Sequence, residues 1–387
     1  MTRLKRISTM VTAALLAAAC ADSERVVGPG LDPALDVAPT NASVGAAVYT
    51  STNAVGGNEV VAYRREADGS LTPGPVYATG GAGTGGGLGN QGAVAFGRGA
   101  NFLLVVNAGS NELTAFFRKT NGSLAFADRV SSGGEMPISV TSAGDYVYVL
   151  NAGGDGNITG FHLSTGGTLT PLAGSTRPLS QAGGTGPAQI GFTHRGRVLV
   201  VTEKATNRIT TYTVGGNGLA SAPIVHASAG MTPFGFAFDR RNRLVVSEAH
   251  GGAPGASTVS SYQVHLGGSL TTLSPSIPDF QSAACWIVIT DNDRFTYTTN
   301  TGSNNLSGYL IRKNGTLELL IGHGFPAPSD VAPIDAALSR GGVQFLYALN
   351  AGAGTITVFR VNADGTLTPL PGGATGLPAG SNGLAAR

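Results

Sequence analysis

The sequence predicts an all-β chain, a seven-bladed β-propeller of four-stranded antiparallel blades, and three observations predict it. An alternating apolar run ends in Asn or Glu at Asn53, Asn107, Asn151, Glu203, Glu248, Asn300 and Asn350, at intervals of roughly 50 residues. A second marker, a turn of the kind "DGSL", "NGSL" or "DGTL", recurs around Gly69, Gly122, Gly167, Gly218, Gly268, Gly315 and Gly365, interleaved with the first. Between them lie short segments rich in Val, Tyr, Phe and Thr with no sustained helical period. Four such segments per repeat, joined by turns in which Gly or Asn can take positive φ, make one propeller blade.

Taken in chain order, the first element is residues 1–19. Arg3, Lys5 and Arg6 precede an apolar run from Ile7 to Ala19 that ends in small residues, the pattern of a secretory signal peptide. "LAAAC" resembles a bacterial lipobox, which makes Cys20 the candidate lipidation site; ordinary signal cleavage is the alternative. Residues 20–43, rich in Pro, Ala, Asp and Ser without apolar period, read as a tether. The expected location is therefore the periplasm or the outer membrane as a lipoprotein, or outside the cell. The membrane would be touched only through the lipid, because no later run reaches the ~20 apolar residues of a spanning helix.

Residues 44–387 hold the modules. The first begins near Ala46 with what is the second strand elsewhere, and the chain finishes with "PAGSNGLAAR", which resembles an innermost strand. The C-terminal strand is thus expected to complete the N-terminal blade and close the ring, pairing edges otherwise left open.

Composition excludes more than it assigns. Loss of Arg3, Lys5 and Arg6 with the leader turns the net charge of +2 into −1, so charge gives no case for nucleic acid. With two cysteines, Cys20 and Cys285, a structural disulfide is not expected. A monomer is expected.

Strand direction alternates, so the seven Asn/Glu markers and the starts of the innermost strands should ring one mouth of the channel, where propellers commonly bind ligands. The loops "EMPISV", "TGPAQIGF", "MTPFGFAF", "SAACWIVI" and "VAPIDAAL" align to give an apolar column of Ile138, Ala188, Phe234, Cys285 and Ile334. The next column is mixed: Ser139, Gln189, Gly235, Trp286 and Asp335.

The "LYxxN" strands, the "DGTLTPL" turns and "GPAQIGFTHRGRVLVVTE" from Gly186 to Glu203 resemble the bacterial lactonase propellers, the family of 6-phosphogluconolactonase and fungal carboxymuconate cyclase, over essentially all of residues 44–387. "TPFGFAFDRRNRLVVSEA" and "AACWIVITDNDRFTYTTN" resemble a branch without a known substrate. The resemblance implies a lactone or sugar-ring hydrolase, with Arg and His after the Gly-Pro of the "TE" module, that Glu, and further His and Arg around the mouth. Lactone opening needs a proton-transfer group and a cation for the developing oxyanion. Only Glu203 matches; Ala188 and Gln189 stand where Arg and His are expected. For an exported chain, a phosphorylated cytoplasmic lactone is not the expected substrate.

Two readings follow. In the first, Glu203 and Glu248 are the catalytic candidates, a proton-transfer pair in adjacent modules; turn capping is the plain alternative for both. In the second, the same mouth binds a small molecule, a glycan or a protein segment without catalysis. Gln189, Phe234, Cys285, Trp286, His250 and Asp335 are the ligand-binding candidates in either case. Cys285 could act as a nucleophile only beside a base such as His250; packing is the alternative. Trp286 could stack on a ring or fill the channel. No cofactor is expected. A divalent metal between the two carboxylates is suggested only by analogy with other lactonase propellers, since no cluster shows ligand spacing. The glycine run "GAGTGG" at Gly81 fits a dinucleotide pattern formally but opens no helix, and "DGN" at 155 and "DND" at 291 read as turns.

Overall fold

The computed structural model describes residues 45–322 and 325–387; the segments expected to be a signal peptide and a tether, and the candidate lipidation site Cys20, lie outside the described residues. The described residues form seven antiparallel sheets, six of them entered by the innermost strand. Blade 5 shows the plan, with strands Pro233–Phe238, Arg243–Glu248, Thr258–Val264 and Leu270–Pro278 in spatial order from channel to rim. The other innermost strands are Val94–Gly97 (blade 2), Pro137–Ala143 (3), Pro187–Phe192 (4), Ala284–Ile289 (6) and Pro333–Leu338 (7). In blades 3 and 6 the outermost strand is broken into two short pieces.

The expected ring closure is present. Asn382–Ala386 pairs with Ala47–Ser51 as the innermost strand of blade 1, with Val48 opposite Ala386 and Tyr49 opposite Ala385. Ala47 and Arg387 exchange two backbone bonds, and Ser51 Oγ donates to the Asn382 carbonyl. With this strand in place every blade has its innermost strand, so blade 1 presents no open second-strand edge to the channel.

The two repeated phrases are joined physically between blades. Tyr49, Tyr148, Tyr297 and Tyr347, one in the second strand of its blade, donate their hydroxyls to the carbonyls of Gly122, Gly218, Gly365 and Gly69, the turn glycines of the next blade. Thr211 and Ser261, from third strands, do the same to Gly268 and Gly315. These turns demand glycine twice over. Gly365 has φ +89°, and a Cβ there would lie 2.4 Å from the Phe295 ring; at Gly69 it would lie 2.3 Å from Phe345. Apolar side chains from neighbouring blades then fill the space between sheets, as where Phe102, Leu104 and Val106 meet Val147, Val149 and Phe161.

One marker is displaced. Thr52 faces Glu59 where Asn107 faces Glu112, so Asn53 lies one residue past the repeat position, at φ +49°. It serves the loop that follows blade 1 instead.

Candidate functional site

The second strands and the blade-to-blade loops put all the markers on one face, as expected, but their side chains turn into the blades. Asn107, Glu203, Asn300 and Asn350 each bond the Thr or Ser seven residues on: Thr114, Thr210, Ser307 and Thr357. Each also meets a polar group just before the loop into its own blade, such as Thr79 for Asn107 and Ser329 for Asn350. Glu203 and Glu248 occupy this same architectural slot and are fully buried. Glu203 accepts from Ser180 N and Oγ, Thr206 Oγ1 and Thr210 Oγ1. Glu248 accepts from Gly230 N, Ser228, Thr258, Ser260 and Ser276. In blade 6 the marker is Asn300 and the acid has moved to the loop position, Asp279, whose Oδ1 accepts from Gln281 N and whose carboxyl lies near enough to Ser307 and Asn300 for both to draw its pKa down. A carboxyl in this network is thus exchangeable between slots, which a proton-transfer pair aimed at substrate would not be.

The mouth on that face is closed. The glycine-rich segment 80–92 crosses it: Asn53 holds Thr84 and Gly86, Lys204 Nζ donates to the Gly89 carbonyl, and Asn90 Nδ2 to that of Ile138. Gln91 N donates to Ala188 O, and Gly92 O accepts from Val140 N. The segment therefore touches blades 3 and 4 as well as its own, and no bulkier chain fits where Gly380 passes Gly85, since a Cβ on Gly380 would lie 2.7 Å from the Gly85 carbonyl. Beneath it the apolar column forms a plug. Ala188, Phe234, Cys285, Trp286 and Ile334 are buried together, with the Phe234 and Trp286 rings 5.2 Å apart and Lys204 Nζ 4.6 Å over Phe234. Cys285 sits in this core, while His250 turns to Thr258 Oγ1 at 3.0 Å, in line with Glu248.

The mixed column stitches the innermost strands together. Register shifts interrupt the innermost strands of blades 5, 6 and 7, and the channel-side backbone beyond each shift is met by a side chain. Gln189 answers Phe236 with both amide atoms, at 3.0 and 2.6 Å, and Gln91 reaches from blade 2 across the channel to do the same for Ile287. Asp335 Oδ1 accepts from Ala336 N. Two buried polar atoms in this belt have no partner within hydrogen-bond geometry, Asp335 Oδ2 and Trp286 Nε1.

Below the belt the channel is open at the opposite face, formed by the hairpin turns between first and second strands. A cavity of about 680 Å³ is walled by Val94, Phe96, Phe236, Phe238, Ile287 and Leu384 and rimmed by Arg98, His194, Arg240, Asp291, Asp293 and Arg340. Its inner end narrows to a chamber of about 280 Å³ that reaches Gln91, Gln189 and Asp335. Arg98 pairs with Asp145 and Arg340 with Asp291. The rim residues carry no repeat signature, which hid them in the sequence; the unusual length of the glycine run was the one sign of the closed mouth. Among the described residues no three His, Cys, Asp or Glu side chains converge as a metal site, and no helix is long and apolar enough to cross a membrane.

Residues 45–178 match the family model described as lactonase, 7-bladed beta-propeller. Solved structures of the same fold include a putative 6-phosphogluconolactonase from Bacteroides uniformis, 17% identical over 88% of this chain and 99% of that one, with a TM-score of 0.69. The periplasmic gluconolactonase of Pseudomonas aeruginosa is 17% identical over 87% and 98%, at 0.67. A Lactobacillus plantarum protein is 18% identical over 89% and 99%, at 0.70. No curated protein matches the chain.

Proposed function

Starting from a seven-bladed propeller of the lactonase family, we propose that this chain is an exported, lipid-anchored monomer that binds a small molecule without turning it over, and that the ligand enters from the hairpin-turn face. The observation that carries this reading is the closure of the marker-face mouth by segment 80–92 over the Phe234–Trp286 plug, with the cavity open behind it. The groups lactone opening would use at the closed mouth are engaged elsewhere. Glu203 and Glu248 hold blades together, and Ala188 and Gln189 supply neither base nor cation. The open cavity is ordinary in size for a small-molecule site, with apolar walls and a few convergent polar groups.

Hydrolysis is the second reading, favoured by the family match itself. A panel of γ-butyrolactone, glucono-δ-lactone and galactono-γ-lactone followed by pH-stat separates the two. The binding reading expects rates equal to the buffer blank. Enzyme-dependent hydrolysis that Glu203→Gln abolishes in a folded protein would establish the hydrolase instead.

A further inference from the structure

The wall at the inner end of the channel is satisfied except at Asp335, which has an unmet oxygen and, buried beside it, the unmet indole nitrogen of Trp286. Gln91 and Gln189 spend both amide atoms on backbone, and Ser139 Oγ accepts from Ile190 N. Asp335 Oδ2 and Trp286 Nε1 remain, on residues 2% and 1% exposed. They are neighbours: the indole acts on the Asp335 carboxyl and draws its pKa downward, short of a formed bond. Burial outweighs the indole and pushes the carboxyl well above its usual range, the direction that favours the proton-bearing form, which can donate as well as accept. The side is also a lining residue of the inner chamber, between Gln91, Gln189 and Leu384.

We infer that this chamber is a binding site for an uncharged, hydroxyl-bearing ring of about monosaccharide size, with the Asp335 carboxyl as its polar anchor and Trp286 beside it. The inference rests on the channel reading above and names the class of ligand. A hydroxyl both donates and accepts, which complements a carboxyl next to an indole N–H. A charged group would have to be desolvated against apolar walls with no counter-charge at that depth, since the Arg and Asp side chains stand at the rim. The apolar wall of Phe236, Phe238, Val94 and Leu384 suits the carbon faces of such a ring.

Trp286 is the single tryptophan of the chain, so its emission reports on this site alone. The experiment titrates the full-length protein with D-glucose, D-galactose, D-mannose, myo-inositol and, as the charged control, sodium gluconate. It reads tryptophan emission together with ligand-observed NMR. Saturable binding of a neutral ring that shifts the emission is expected, with gluconate at least tenfold weaker. Asp335→Asn, which keeps a donor and an acceptor, should bind within about threefold of wild type, and Asp335→Leu at least tenfold weaker; both are checked for folding by near-UV circular dichroism. If Asp335→Leu does not fold, protection of Trp286 from acrylamide by the bound ring in the wild type decides the point. Binding that leaves the emission and that protection unchanged, or that prefers gluconate, overturns this inference while leaving the channel as the ligand site. Absence of binding by every neutral ring also overturns it, and a hydrolytic result in the pH-stat assay overturns the reading beneath it.

Discussion

Replacing Glu248 tests whether its carboxylate is architecture or chemistry. It is fully buried and accepts from Gly230 N at 2.8 Å, Ser260 Oγ at 2.6 Å and the hydroxyls of Ser228, Thr258 and Ser276. In Glu248→Ala the hydroxyls can rotate toward one another, but the Gly230 amide cannot, and an unmet buried amide costs about 1–3 kcal/mol. Adding the loss of charge-assisted bonds, and subtracting the relief of a buried charge, gives a net loss of about 3–5 kcal/mol. At about 2 °C per kcal/mol for a chain of this size, the melting temperature should fall by roughly 6–10 °C. Glu248→Gln keeps the shape and one acceptor, and should fall about half as far. Thermal unfolding by circular dichroism reads both, and acrylamide quenching of Trp286 should be unchanged because the network stands apart from the channel. A Glu248→Ala protein that melts within 1 °C of wild type, yet loses binding or turnover, would refute the reasoning.

Three further outcomes are expected. Burial pushes the Asp279 carboxyl up to about 6 from an ordinary 3.8, so its favourable contribution is complete below about pH 4 and is lost as pH rises through about 6. Asp279→Asn should therefore gain on wild type by about 3 kcal/mol between pH 4 and pH 7.5, and a pH-independent difference would contradict this. Gly365→Ala meets both the positive φ and the Phe295 ring and should cost more than about 2 kcal/mol, against about 1 kcal/mol for Tyr347→Phe, which loses only the bond to Gly69; denaturant midpoints should rank them in that order. Deleting residues 381–387 removes the innermost strand of blade 1 and should abolish a single cooperative transition; retention of one would show that the ring does not depend on that strand.

The sequence carried the architecture because the fold is written in repeats. The turn glycine of six blades accepts from a Tyr, Thr or Ser hydroxyl of the blade before it, so the same physical need recurs around the ring and becomes visible as a period. The closing strand was legible for the same reason, since "SNGLAA" could pair with only one open edge. The site was less legible. The markers were placed on the right face, but nothing in one sequence tells whether Glu203 points to a channel or back to Thr210, because both orientations leave the alternation intact. The roles of Trp286 and Phe234 as a plug depended on segment 80–92 lying across them, a long-range packing fact. Arg98, Arg240 and Arg340 sit in hairpin turns of unequal length, where no column lines them up. Gln189 and Asp335 were found by alignment, but that they bond the backbone of Phe236 and Ala336 just past the register shifts is visible only in the structure.

The central claim is that the channel opens at the hairpin-turn face and is shut at the marker face. In a Cys20→Ser background, Arg240→Cys at the open rim and Met231→Cys on the marker face place exposed thiols at the two ends. Each is labelled with a bulky maleimide, and acrylamide quenching of Trp286 is measured before and after. The account predicts that the label at position 240 cuts the quenching constant severalfold and the label at position 231 leaves it unchanged; the reverse pattern would contradict it.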